Sequence, residues 1–132
     1  MNHTLTTLWV ALGTALGGVL RFGADRLIPA TAGVPWSTLV VNTLGSLLIG
    51  WVAGRATDPS SRLAHAHVHA FLVPGFCAGL TTFSVFSHQT LTLLRSGALS
   101  MGLFNITATL VLMVAGAALG LAASRNTTKH GD

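Results

Sequence analysis

Apolar residues in this chain do not alternate with polar ones; they run. Four charge-poor stretches, Met1 to Leu20, Leu27 to Gly54, Leu63 to Leu94 and Ser96 to Ser124, follow one another. Each exceeds or approaches the roughly 20 residues that a helix needs to cross a hydrocarbon core. The pattern predicts an all-α membrane protein, a single domain over 1–132 with four transmembrane helices at about 5–26, 35–54, 67–94 and 99–124. Pro29, Gly33 and Pro35 punctuate the first connector, and RATDPSSR at 55–62 has the breakers and charges of an aqueous loop. Arg95-Ser96-Gly97 makes a tight turn, and the tail RNTTKHGD is polar.

Composition agrees with this picture. The chain is 51% hydrophobic and only 8% charged, with no Glu and no Tyr, whereas a soluble domain carries about 25% charged residues. No Lys or Arg precedes the first apolar stretch, which argues against a cleaved signal peptide. The single cysteine, Cys77, excludes an internal disulfide. A net charge of +4 would suggest nucleic acid in a soluble protein. Here the basic residues stand at span ends, where they anchor to lipid headgroups, so no nucleic-acid partner is expected.

The distribution of charge bears on topology. With four spans, Arg55, Arg62, Arg125 and Lys129 share the side of the termini, against Arg21, Arg26 and Arg95 on the other. Orientation follows an excess of Lys and Arg on the cytoplasmic side, and four against three is scarcely an excess. A chain without bias inserts both ways, which raises an antiparallel, dual-topology homodimer. Glycines four apart (Gly13 and Gly17, Gly50 and Gly54, Gly75 and Gly79, Gly116 and Gly120) mark faces where helices pack closely.

Few groups are equipped for chemistry. No carboxylate is expected inside a span, so carboxylate acid–base catalysis and proton-coupled exchange both lack their parts. Ser84 or Cys77 beside His88 lacks an acid to orient the histidine, and the chain is not read as an enzyme. His65, His67 and His69 invite a metal reading, but on a helix only the outer two share a face; the alternative is a helix start among headgroups. Asn42, mid-span among aliphatics, is either an interhelical hydrogen-bonding residue or a position on a wet pathway. Its NH2 can donate to an anion. Arg21 is either a snorkelling anchor or a source of positive potential for an anion vestibule.

The stretch GFCAGLTTFSVF at 75–86 puts glycines and hydroxyls into an apolar span. In lipid, broken backbone is tolerated only where it is buried in protein or lines a cavity. A third span broken at 78–81 would gather freed carbonyls of the kind that coordinate Na⁺ in discontinuous helices. Phe83 and Phe86, three apart, share a helical face, and the positive edges of two rings can line a path for an anion.

These residues carry a resemblance. GFCAGLTTFSVFSHQT resembles the signature of the Fluc, or CrcB, family of fluoride channels, GGVLRF its first-span motif and TLVVNTLGSLLIG its second-span motif. The resemblance implies a passive, electrogenic, fluoride-selective channel that exports F⁻ across a bacterial inner membrane to relieve its toxicity. It implies an antiparallel homodimer with two pores, with Asn42, Phe83, Phe86 and Thr109 on the fluoride pathway and Arg21 adding potential. A structural Na⁺ at the dimer centre would be held by the backbone carbonyls of Ala78 and Thr81 from both subunits. The chain departs from the motif at Ala78, Val85 and Gln89, where the family pattern has Gly, Thr and often Glu. The rival reading is a small four-span dual-topology antiporter or drug exporter, which needs an embedded carboxylate.

Overall fold

The computed structural model describes residues 3–31 and 33–128 of the chain, and its regular elements are all helical. Helix α1 is His3–Leu27 and α2 is Trp36–Arg55. The third crossing is assembled from α3 (Ala66–Ala70), a π-helical segment Phe71–Cys77, α4 (Ala78–Leu80) and α5 (Phe83–Arg95). Helix α6, Leu99–Thr128, completes the bundle. Four segments are long and apolar enough to cross a membrane: His3–Leu27, Trp36–Arg55, Ala66–Arg95 and Leu99–Arg125. The protein is a multi-pass membrane protein.

Local sequence explains most boundaries. Pro35 stands just before α2, where its missing N–H costs no helical bond. Gly97, at φ 81°, ends α5 in the left-handed conformation that favours glycine, and Ala98 N–H then closes on Leu93 O at 3.0 Å. Pro74 sits inside the π-helical segment. It has no N–H to give the preceding turn, and the wider spacing accommodates that loss.

The backbone departs from helix two residues later than the glycines suggest. Ala78 is helical, with φ −66° and ψ −34°, so a Cβ there meets no backbone strain. The extended residues are Thr81 (φ −84°, ψ 157°) and Thr82 (φ −150°, ψ 127°). β-Branched threonines are stiff and give up helix readily; the Thr81 hydroxyl adds a second bond to a carbonyl that its own N–H already reaches, and the Thr82 hydroxyl replaces a lost one. Thr81 Oγ1 donates to Cys77 O at 2.8 Å, and Thr82 Oγ1 accepts from Val85 N–H at 3.2 Å, capping α5.

Two glycine seams hold the crossings together. A Cβ on Gly13 or Gly17 would collide with the carbonyls of Phe71 or Phe76, so α1 lies directly against the third crossing. Gly50 and Gly120 bring α2 and α6 equally close, against Ala117 O and Leu47 O. Helices in lipid associate by such close packing, because the tails outside are as apolar as leucine. Gly45 opens a third gap, filled by the Thr81 methyl, which seats the non-helical residues of the third crossing on α2.

Candidate functional site

One turn before Gly45 on α2, Asn42 faces the same non-helical residues and is 2% exposed. Its Nδ2 donates to Thr82 O at 3.1 Å, and its Oδ1 accepts from Thr82 N–H at 2.8 Å. One side-chain amide thus satisfies both polar groups of a residue 40 positions away. Asn42 therefore bonds another helix, and one N–H of its NH2 remains after the bond to Thr82.

The diversion has consequences for two carbonyls. In an unbroken helix Thr82 N–H would bond Ala78 O, and Val85 N–H would bond Thr81 O. Here those donors go to Asn42 Oδ1 and Thr82 Oγ1. The carbonyls of Ala78 and Thr81 have therefore lost their helical partners. Ala78 is exposed on the single chain and Thr81 is half-buried.

A cavity of about 180 Å³ opens beside this clamp, lined by Asn42, Thr81, Thr82, Phe83, Phe86 and Thr109, with Leu110 and Met113. Three crossings contribute: α2 brings the amide, the third crossing the threonines and both rings, and α6 the hydroxyl. Phe86 is 8% exposed and Phe83 is 78% exposed, with ring centroids 5.8 Å apart. Thr109 is 2% exposed, and its hydroxyl oxygen is buried without a hydrogen-bond partner. A buried hydroxyl without a partner is costly, so this one marks a place where something polar belongs.

Arg21 is placed differently. It does not line the cavity and it does not reach outward along the lipid; it is 8% exposed between α1 and α2. Its Nε donates to Asp25 Oδ2 at 3.1 Å and its Nη2 to Thr38 Oγ1 at 3.0 Å. Ser37 Oγ donates to the other carboxylate oxygen, Oδ1 of Asp25, at 2.7 Å. Nη1 is buried with no partner. The expectation that no span holds a carboxylate is corrected here: Asp25 is a residue of α1, near its end. It is engaged by Arg21 and Ser37 and so is charge-balanced.

Thr82, Thr90 and Asn105 were not singled out by sequence as site residues. Thr82 is the hub of the clamp, and a threonine just ahead of a helix-forming run is itself an N-cap signal. Asn105 on α6, 2% exposed, donates to Thr90 Oγ1 at 2.8 Å, and Thr90 donates to Phe86 O at 2.8 Å. The logic that marks Asn42 as a mid-span amide applies equally to Asn105. Gln89 Oε1 is buried without a partner one turn beyond Phe86. His67 packs on Trp9 with ring centroids 6.4 Å apart, and no cluster of three or more metal-ligating side chains occurs among the described residues.

The chain is similar to several known proteins. A protein named fluoride-specific ion channel FluC from Methylobacterium radiotolerans is 39% identical over 117 residues, covering 87% of this chain and 81% of its own. The protein of the same name from Opitutus terrae is 42% identical over 115 residues, 86% of this chain and 87% of its own. Fluoride-specific ion channel FluC 1 of Thermobifida fusca is 41% identical over 121 residues, 90% of this chain and 95% of its own. The family model described as CrcB-like protein, Camphor Resistance (CrcB), matches residues 8–121, and the chain belongs to that family.

Proposed function

We propose that this chain is a fluoride channel that lets F⁻ leave a bacterial cell passively across the inner membrane. The observation that carries the proposal is the cavity in which Asn42, Phe83, Phe86 and the partnerless Thr109 hydroxyl meet. It offers an anion hydrogen-bond donors and aromatic rings and no carboxylate. A bare halide stripped of water needs compensation at every step. The remaining N–H of Asn42, the O–H of Thr109 and the positive edges of two rings supply it without a formal charge that would trap the ion. Arg21 acts at longer range, as a buried positive charge partly balanced by Asp25. HF enters cells and ionises in a near-neutral cytoplasm, so an anion leak relieves the trapped load.

The functional unit of this proposal is an antiparallel homodimer with two pores, with the third crossing discontinuous at Thr81 and Thr82. The near-even count of basic residues supports two orientations, and the exposure of Phe83 supports a partner covering it. Ala78 and Thr81 fit a structural Na⁺ at the dimer centre, since theirs are the carbonyls whose helical donors are diverted. When bound, such an ion would supply positive charge and cross-link the subunits through main-chain oxygens. The antiporter reading is not favoured by any observation, because Asp25 is held by Arg21 and Ser37.

The test is protection in cells. In a bacterial strain without its own fluoride exporter, expression of this chain is expected to restore growth in millimolar fluoride at acidic pH. Thr109→Val, which keeps the shape and removes the hydroxyl, is expected to lose most of that protection at equal expression. Growth no better than the empty strain would overturn the proposal.

A further inference from the structure

A second polar cleft, remote from the pathway, lies where α2 ends. It has a volume of about 470 Å³ and is lined by Trp51, Arg55, Asp58, Ser60, Ser61, Arg62 and Leu63. Arg55 is the last residue of α2, a helix of 20 residues. At about 1.5 Å per residue that helix is about 30 Å long, which is the thickness of the hydrocarbon core. Arg55 therefore lies at headgroup level, and Trp51, one turn inside, occupies the interfacial belt where indoles collect. Arg55, Arg62 and Asp58 line the cleft together, two cations with one anion. Asp58 Oδ1 accepts from Ser60 Oγ at 2.7 Å and from Ser60 N–H at 2.9 Å. These two bonds, with the nearby charge of Arg55, hold the Asp58 carboxyl below the usual carboxylate range, so it stays ionised and fixed at neutral pH. Arg62 is exposed, at the start of the 3₁₀ turn Arg62–Ala64, and that turn is pinned by Leu63 N–H on Ser61 Oγ at 3.3 Å.

We infer that this cleft binds the phosphate of an anionic phospholipid, clasped between Arg55 and Arg62. Guanidinium groups suit phosphate because their fork of N–H donors matches its oxygens. A lipid is the source, because Arg55 at the end of α2 sets the cleft at headgroup level and Trp51 and Leu63 add apolar lining to it. The ordered loop would then be locked to the leaflet by a bound headgroup. This inference does not depend on what the protein transports.

The experiment is thermal unfolding of the full chain in neutral detergent, titrated with phosphatidylglycerol, phosphatidylcholine or inorganic phosphate. Phosphatidylglycerol is expected to raise the midpoint, and the other two to leave it in place. Arg55→Gln and Arg62→Gln should each raise the phosphatidylglycerol concentration for half effect by about fivefold, as expected for one basic residue at an anionic surface. Arg95→Gln, which removes the same charge from the last residue of α5, should not change it. Arg62 is an exposed loop residue, so its variant remains a test if Arg55→Gln fails to fold. Equal loss in Arg95→Gln, or no loss in Arg62→Gln, would overturn the site. An equal shift with inorganic phosphate would overturn the lipid as its occupant.

Discussion

Replacing Asn42 by Leu is expected to abolish fluoride flux, the largest effect of any single substitution on the pathway. The side chains share the same branching and number of heavy atoms, although leucine is the bulkier. What is lost is the paired hydrogen bonding to Thr82, which leaves an N–H and a C=O without partners at a point where the helix supplies none. Each partnerless group in such a setting costs about 1–3 kcal/mol. Thr82 also caps α5 and immediately precedes Phe83, so a loosened Thr82 displaces both the cap and the first ring. The donor available to the ion disappears at the same time. Flux per folded protein should fall by at least ~100-fold, which corresponds to a loss of about 3 kcal/mol, with a lower unfolding midpoint. Asn42→Asp should also fail, because a carboxylate accepts from Thr82 N–H but repels both Thr82 O and an anion. Near-normal flux in the Leu variant would contradict the role assigned to the clamp.

The second large effect is expected at Phe86. Its ring is 8% exposed and lines the cavity with Asn42 and Thr109, the route proposed for the ion. Isoleucine fills similar space without a positive edge, and a desolvated anion is sensitive to that difference. Phe86→Ile should lower flux about 30- to 100-fold, a loss of ~2–3 kcal/mol in stabilisation of the ion. The elution profile and unfolding midpoint should stay close to those of the parent protein. Phe83→Ile should act in the same direction. Undiminished flux in both variants would return the rings to a packing role.

The sequence declares its helices openly because lipid leaves a chain little choice. Only long apolar runs cross it as helices, and the glycine pairs that let those helices touch are visible at their four-residue spacing. Gly13, Gly17, Gly50 and Gly120 all prove to be contact positions. The departure from helix was less legible. The glycines and threonines place the opening at 78–81, whereas the extended residues are Thr81 and Thr82 and Ala78 stays helical. The cause is long-range: an amide 40 residues away offers Thr82 a better partner than its own helix does. No local pattern contains that pairing. Arg21 was ambiguous for the same reason, since its burial depends on Ser37 and Thr38 arriving from beyond the connector. The gathering of Asn42, both phenylalanines and Thr109 around one cavity could be named residue by residue from the family resemblance. Only the fold brings them around one cavity.

The central claim concerns what crosses the membrane, and flux from proteoliposomes tests it most directly. Vesicles are loaded with potassium fluoride or potassium chloride, diluted into an impermeant salt, and released with a potassium ionophore to short-circuit the charge. Fast fluoride efflux that begins only when the ionophore is added, with negligible chloride efflux, is the result this account predicts. Fluoride efflux that needs no ionophore but requires a pH gradient, or chloride efflux at a comparable rate, would contradict it.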